Sequence, residues 1–201
     1  MTRRMINSDQ LIEYFLKFPG IGPRQAKRFA YFLAGEDEKF VKGLAALILE
    51  TKKNVKQCGG CYRFFETQNS SASLCDICSN RNRETSVLMI VEKDVDLDNI
   101  ERVGIYNGGY FVLGGTVSLI GNGKNNLRLK EIFEKVKKEK IKEVILATSA
   151  TLEGENTNRY IEKILAPLKI KITRLGRGLS TGAELEYSDS ETIASALKNR
   201  K

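Results

Sequence analysis

The sequence predicts a multi-domain α+β protein with four parts. These are an N-terminal pair of helices joined by a glycine turn, a small four-cysteine finger, an α/β domain with a mostly parallel sheet, and a C-terminal glycine-rich segment ending in a helix. Three observations carry that prediction. Two C-x-x-C pairs, Cys58–Cys61 and Cys75–Cys78, stand thirteen residues apart and are the only cysteines in the 201 residues. Ahead of them, proline and glycine punctuate helical periodicity. Behind them, short runs of branched apolar residues alternate with amphipathic helical patterns, as in a parallel sheet covered on both faces. The boundaries fall at residues 1–56, 57–84, 85–176 and 177–201.

Ser8 is a suitable N-cap for a first helix running to about Lys17, with Leu11, Ile12, Phe15 and Leu16 on its apolar stripe. Pro19 and Gly20 break it, and Pro23 fits the first turn of a second helix ended by Gly35. Gly20 and Gly22 allow a tight turn and leave amide groups uncovered by any Cβ, so these donors can cradle a phosphate oxygen at a helix N-terminus. Arg24, Lys27 and Arg28 follow at once and supply counter-charge. A generic helical hairpin would need the glycines alone; glycines followed by cations favour sequence-independent DNA binding. The stretch resembles a helix-hairpin-helix motif. A third helix over residues 37–53 places Phe40, Val41, Leu44, Leu47 and Ile48 toward a core.

Each C-x-x-C pair can present two thiolates to one ion from a tight turn, and two pairs complete a closed tetrahedral site for structural Zn²⁺. Gly59 and Gly60 are expected to ease the dihedral angles of the first turn. Disulfides are the competing reading, but no apolar leader follows Met1-Thr2-Arg3-Arg4-Met5, and a chain of this length builds a core without staples. Reduced, metal-bound cysteines point to the cytoplasm. Tyr62, Phe64 and Phe65 are expected to form the finger's own small core.

After Arg83 the pattern reads strand Val87–Val91, helix Val95–Arg102, strand Tyr110–Leu113, helix Leu127–Lys138, strand Val144–Ala147, helix Asn156–Leu165 and strand Ile170–Thr173. Ser188 is expected to cap a terminal helix carrying Ile193, Ala194 and Leu197. Glu92 falls at the carboxyl end of the first of these strands, where open sheets place their sites, with Asp94, Asp96 and Asp98 behind it. Such acids can hold Mg²⁺, or simply suit a helix N-terminus. A two-metal enzyme needs further acids at another strand end, and the sequence offers Thr148-Ser149-Ala150-Thr151 there. The glycines of residues 114–124 fail the spacing of a P-loop, as do those of Leu175–Gly182.

Net charge is +8, of which residues 1–57 carry +5 (eleven Lys and Arg against six Asp and Glu), so the excess sits with the glycine turn and suits a polyanion. The absence of histidine removes the commonest general base. Apolar runs such as Val87–Val91 are far too short to span a bilayer.

Across nearly its full length the chain resembles the RecR family of bacterial recombination mediators. The stretches that carry the resemblance are FPGIGPRQAKRFA, the four cysteines, LMIVEKDVDLDNIE, YFVLGG, EVILATSATLEGENTNRYI and TRLGRGLSTGAELEYSDSETIASAL. The resemblance implies a helix-hairpin-helix, a zinc finger, a Toprim α/β domain and a Walker B-like segment from Leu175. It implies a ring-like homotetramer that encircles DNA, and partnership with RecO and RecF in helping RecA displace single-strand-binding protein at gaps. Acidic Toprim residues, here Glu92, Asp94 and Asp96, become candidates for partner contact. Toprim enzymes pair a Glu with an Asp-x-Asp at a later strand end; Ser149-Ala150-Thr151 takes that place here, which fits the non-enzymatic branch. The rival reading is a Mg²⁺-dependent Toprim nuclease or primase-like enzyme. Thr116-Val117-Ser118-Leu119-Ile120 also departs from the family's usual Ser-Pro-Leu.

Overall fold

A computed structural model describes residues 7–69, 71–117 and 127–200. It divides into two compact units, Met1–Val55 and Lys56–Lys201. Gly121–Lys124, weighed above as part of a nucleotide loop, lie outside the described residues, as does Ser118–Ile120.

The first unit holds α1 (Asn7–Phe15), α2 (Pro23–Gly35) and α3 (Glu38–Asn54). Proline opens α2, where a missing N–H costs nothing. Helices α1 and α2 pack on one another with Ala26 and Ala30 buried, and Phe15 meets the Phe29 ring edge-on at 5.6 Å. Asp37 caps α3 by accepting from the Phe40 amide at 2.6 Å. The apolar stripe of α3 does not face a core, contrary to expectation. None of its residues is buried, and Leu47 and Ile48 are 61% and 59% exposed. Helical periodicity identifies an apolar face but not what covers it, and a three-helix unit has little with which to cover it.

The second unit begins at a two-stranded sheet, β1 (Val55–Gln57) with β2 (Phe64–Glu66), the unit boundary falling inside β1. A single turn, α4 (Asp76–Ser79), follows. The main sheet has the order β4 (Gly108–Val112), β3 (Glu84–Val91), β5 (Glu143–Ala147), β6 (Lys171–Arg174), every pair parallel. Crossovers run through α5 (Asp94–Val103), α6 (Leu129–Lys138) and α7 (Leu152–Leu165). Side chains alternate along β3 so that each face has its own core. Leu88 and Ile90 join Ile132 and Val136 of α6 and Ile161 and Leu165 of α7; Met89 and Val91 join Leu97 of α5 together with Cys58, Cys61, Cys75 and Ile77. The cysteine segment therefore helps to cover one sheet face and shares its core with the sheet. Its aromatics divide rather than form a separate finger core: Tyr62 meets Phe111 edge-on at 5.2 Å in the first cluster, Phe65 packs on the second, and Phe64 is exposed.

Ser8, expected to cap the first helix, lies inside α1, and the starts of α7 and of the C-terminal helix differ from expectation because a better cap lies nearby. Thr151 accepts from the Gly154 amide at 3.1 Å, so α7 begins four residues early. The C-terminal helix α8 (Ser190–Lys198) is capped by Asp189 and not Ser188, since the carboxylate takes both the Thr192 amide (2.9 Å) and hydroxyl (2.7 Å). Those two donors hold the Asp189 carboxyl below its ordinary range. A depressed carboxyl contributes stability that is present above its unfolded value and lost as pH falls through its folded one. Hydrogen exchange at the Thr192 amide should stay protected down to about pH 4 and lose protection progressively below it; protection unchanged at pH 2 would contradict the cap.

Candidate metal centre and nucleic-acid interface

Four sulfurs converge in the second unit. Those of Cys58, Cys61, Cys75 and Cys78 all lie within 4.8 Å of one another, the first three residues buried and Cys78 half-buried. The Cys61 and Cys75 sulfurs are 3.6 Å apart, close to the edge of roughly 3.8 Å that a tetrahedron with 2.3 Å metal–sulfur bonds requires. The Cys58 sulfur accepts from the amides of Gly60 (3.4 Å) and Cys75 (3.3 Å). Without a cation the set shares protons unequally: its hydrogen bond to Cys75, reinforced by burial, pushes the Cys61 thiol up to about 12, while the same bond holds Cys75 low. Four sulfurs within 4.8 Å of one another, three of them on buried residues, fit a metal ion. Gly60 serves this centre by leaving space, since a Cβ there would stand 3.1 Å from the Cys78 sulfur and 3.2 Å from Leu74. The residue with positive φ is Tyr62 (66°), so the dihedral role expected of Gly59 and Gly60 is corrected.

In the first unit the glycine turn is open. Gly20 takes φ +78°, a region that disfavours side chains, and Gly22 is the extended residue ahead of α2. A Cβ at either would meet nothing within 4 Å. The Ile21 amide closes the turn on the Phe18 carbonyl at 3.2 Å, while Gln25 and Ala26 donate to the Gly22 carbonyl. Among the described residues no hydrogen bond uses the amides of Gly20, Gly22 or Arg24. Arg24, Lys27 and Arg28 are exposed. Arg28 makes one long contact to Gln25 (3.5 Å), and no carboxylate pairs with any of the three among the described residues. Free amides and cations on one turn form an anion-accepting edge.

The third site lies where the chain leaves β3 and β5, the strands whose crossovers diverge. Glu92, expected on a partner-facing surface, is only 5% exposed. Its Oε1 accepts from the Ser149 amide at 2.7 Å and its Oε2 from the Ser149 hydroxyl at 3.1 Å. It braces the crevice from inside. Asp94 and Asp96 are half-buried; Asp94 accepts from the Phe64 amide at 2.6 Å and Asp96 from the Lys93 amide at 3.0 Å, fastening the start of α5. Sequence reasoning missed Ser149 as the partner of Glu92, and missed Gly154. A Cβ on Gly154 would stand 2.0 Å from the Ser149 carbonyl oxygen and 3.4 Å from Glu92 Oε1. A glycine in the first turn of a helix was the available signal.

The α/β unit with its filled acidic crevice, the four-cysteine centre and the open helical hairpin define a protein of the Toprim-containing, helix-hairpin-helix class. Family models agree: residues 8–52 match the RecR helix-hairpin-helix, 86–176 the Toprim domain, and 178–201 the RecR C-terminal region. The chain is 40% identical over 193 residues to the Recombination protein RecR of Roseiflexus castenholzii, covering 96% of this chain and 92% of that one. Identity to the Recombination protein RecR of Carboxydothermus hydrogenoformans is 38%, covering 96% and 94% of the two chains. For that of Dehalococcoides mccartyi it is 39%, covering 96% and 93%. The chain belongs to the RecR family of recombination proteins.

Replacing glycine by alanine inside a helix is ordinarily stabilising. Gly154→Ala should do the reverse, costing about 1–3 kcal/mol in denaturant unfolding because the methyl collides with backbone. It should also shift the amide resonance of Ser149; a stabilised variant with that resonance in place would contradict the packing described.

Proposed function

We propose that the protein is a non-enzymatic, DNA-binding recombination mediator of recombinational repair. The hairpin edge of Gly20, Gly22, Arg24, Lys27 and Arg28 takes backbone phosphates without reading bases, because open amides at a helix start with cations beside them form a cradle for phosphate oxygens. The single observation that carries this reading is that, among the described residues, the Gly20, Gly22 and Arg24 amides have no hydrogen-bond partner and no carboxylate pairs with Arg24, Lys27 or Arg28. Weak contacts of this kind become durable when several subunits close around one strand, through effective concentration. A homotetrameric clamp accords with the exposed apolar face of α3, which a partner subunit covers.

In this reading the clamp works in the cytoplasm with RecO and RecF to help load RecA at single-stranded gaps. Asp94 and Asp96 contribute to the partner face, and Glu92 acts through the crevice it braces. The four cysteines hold Zn²⁺ as a structural ion, since with four thiolates no coordination position is left for water. No helix among the described residues is long and apolar enough to cross a membrane. The Mg²⁺-dependent Toprim nuclease or primase reading is not favoured: both oxygens of Glu92 are bound by Ser149, at the strand end where an enzyme would supply further acids.

Arg24→Glu should weaken binding to DNA of unrelated sequences alike, by roughly tenfold at low salt, and flatten the salt dependence by about one unit of slope. Unchanged affinity would overturn the hairpin assignment. Wild-type protein incubated with gapped DNA and Mg²⁺ should leave it uncut; cleavage abolished by Glu92→Ala would establish the enzyme instead. Metal analysis should find one zinc per chain, lost in Cys75→Ser together with cooperative melting of the second unit. Full zinc and an intact melt in that variant would reject the site.

A further inference from the structure

Three turns deliver the chain from a helix to the amino-terminal edge of the parallel sheet, and in each one residue adopts the left-handed conformation. After α5 it is Gly104 (φ 73°), after α6 Lys140 (φ 54°), and after α7 and its short 3-10 turn Lys169 (φ 52°). A Cβ is disfavoured in that conformation, so glycine is the unstrained residue for it. The chain uses glycine ahead of β4. Ahead of β5 and β6, which are neighbours in the sheet, it carries lysine instead. Both turns are firmly formed, with the Ile141 amide on the Val136 carbonyl at 3.3 Å and the Lys169 amide on the Ala166 carbonyl at 3.2 Å.

More lysines gather at the same edge. The Lys142 amide donates to the Ser86 carbonyl (2.8 Å) and the Lys171 amide to the Lys142 carbonyl (3.1 Å), which fixes Lys142 beside the starts of β3 and β6. Helix α6 ends in Lys137 and Lys138. The local carboxylates are already engaged: Glu139 with Lys135 (2.7 Å), Glu143 with Lys171 (2.9 Å) and Thr173 (2.8 Å), and Glu84 with the Ser86 amide (3.0 Å). Lys137, Lys138, Lys140, Lys142 and Lys169 are all exposed, and among the described residues none has a carboxylate oxygen within 4.0 Å, although Lys142 is near enough to Glu84 to add to the Ser86 contacts that hold that carboxyl below its ordinary range. Backbone strain accepted twice, each time for lysine, singles this edge out from ordinary solvated surface charge.

We propose that the amino-terminal edge of the sheet is a second, sequence-independent DNA contact, in which these five lysines bind the sugar–phosphate backbone. Lysine is a mobile point charge suited to phosphates and not to bidentate base recognition. The edge lies at the opposite end of the strands from the Glu92–Ser149 crevice, so DNA held here leaves that crevice free. The proposal rests on the DNA-binding reading above but on a different surface from the hairpin, and the two are separable.

The test compares three full-length variants on gapped DNA over a range of salt concentrations. One carries Lys137→Gln, Lys138→Gln, Lys142→Gln, Lys140→Gly and Lys169→Gly. The second carries Arg24→Gln and Lys27→Gln. The third neutralises Lys39, Lys42, Lys130, Lys163 and Lys198 to glutamine and so matches the first in net charge. The first should bind at least tenfold more weakly, with the salt slope reduced by about 0.7–0.9 for each phosphate that the edge no longer neutralises. Its Lys140→Gly and Lys169→Gly changes alone should raise Tm, by about 2–4 °C each, while weakening DNA binding, a combination that simple damage to the fold does not produce. Wild-type affinity and slope in the first variant, with the hairpin variant impaired, would overturn this surface and leave the hairpin reading standing. An equal loss in the charge-matched variant would also overturn it, by tracing the effect to net charge. If the first variant lost binding to polyglutamate but not to DNA, the edge would be a site for acidic protein and the proposal would fall. An unimpaired hairpin variant would count against the hairpin reading alone.

Discussion

The convergence of four cysteine sulfurs to within 4.8 Å of one another is the constraint on which the second unit is built. Cys58, Cys61 and Cys75 lie in the same apolar cluster as Met89, Val91 and Leu97, so the metal centre and the packing of one sheet face are a single object. Two polar contacts extend the tie. The Val112 amide at the rim of β4 donates to the Cys61 carbonyl at 2.8 Å, and Asp94 at the head of α5 receives the Phe64 amide. An ion held here would therefore be part of folding, in the sense that free energy of coordination would also stabilise the sheet cover.

The opposite use of polar chemistry appears at the carboxyl ends of β3 and β5. A crevice at the divergence of two crossovers is where α/β folds commonly bind ligands, and here protein atoms complete it. Ser149 satisfies Glu92, Thr148 donates to Asn158 at 2.9 Å, and the Thr157 hydroxyl accepts from the Val117 amide at 2.8 Å. Buried polar groups satisfied in this way stiffen a site. Glu92 at the strand end is thereby committed to internal contacts, whereas the amides of the glycine turn have no partner among the described residues.

Much of this was legible in the residues themselves. Alternation of branched apolar runs with amphipathic segments located all four strands of the main sheet, because strands buried on both faces have few other ways to be written. The cysteine spacing located the four-sulfur cluster for a similar reason. What escaped were relations between distant residues. Nothing in Thr148-Ser149-Ala150-Thr151 announces that Ser149 will meet a carboxylate 57 positions earlier, since that contact exists only once β3 and β5 pair in register. Gly60 has the look of a backbone hinge and is instead a space-maker for a sulfur across the turn. The stripe on α3 is apolar, as its periodicity says, yet not buried, because amphipathicity records a preference and not a neighbour.

Of the four sulfur ligands, only that of Cys78 belongs to a residue open to solvent. Exchange of an ion held here would therefore have a direction. A chelator or oxidant arriving from solution would meet one door and three walls, and the outermost sulfur would let go before the inner ones. The lifetime of such an ion would be set less by the average strength of its bonds than by how often that single exposed arm swings away.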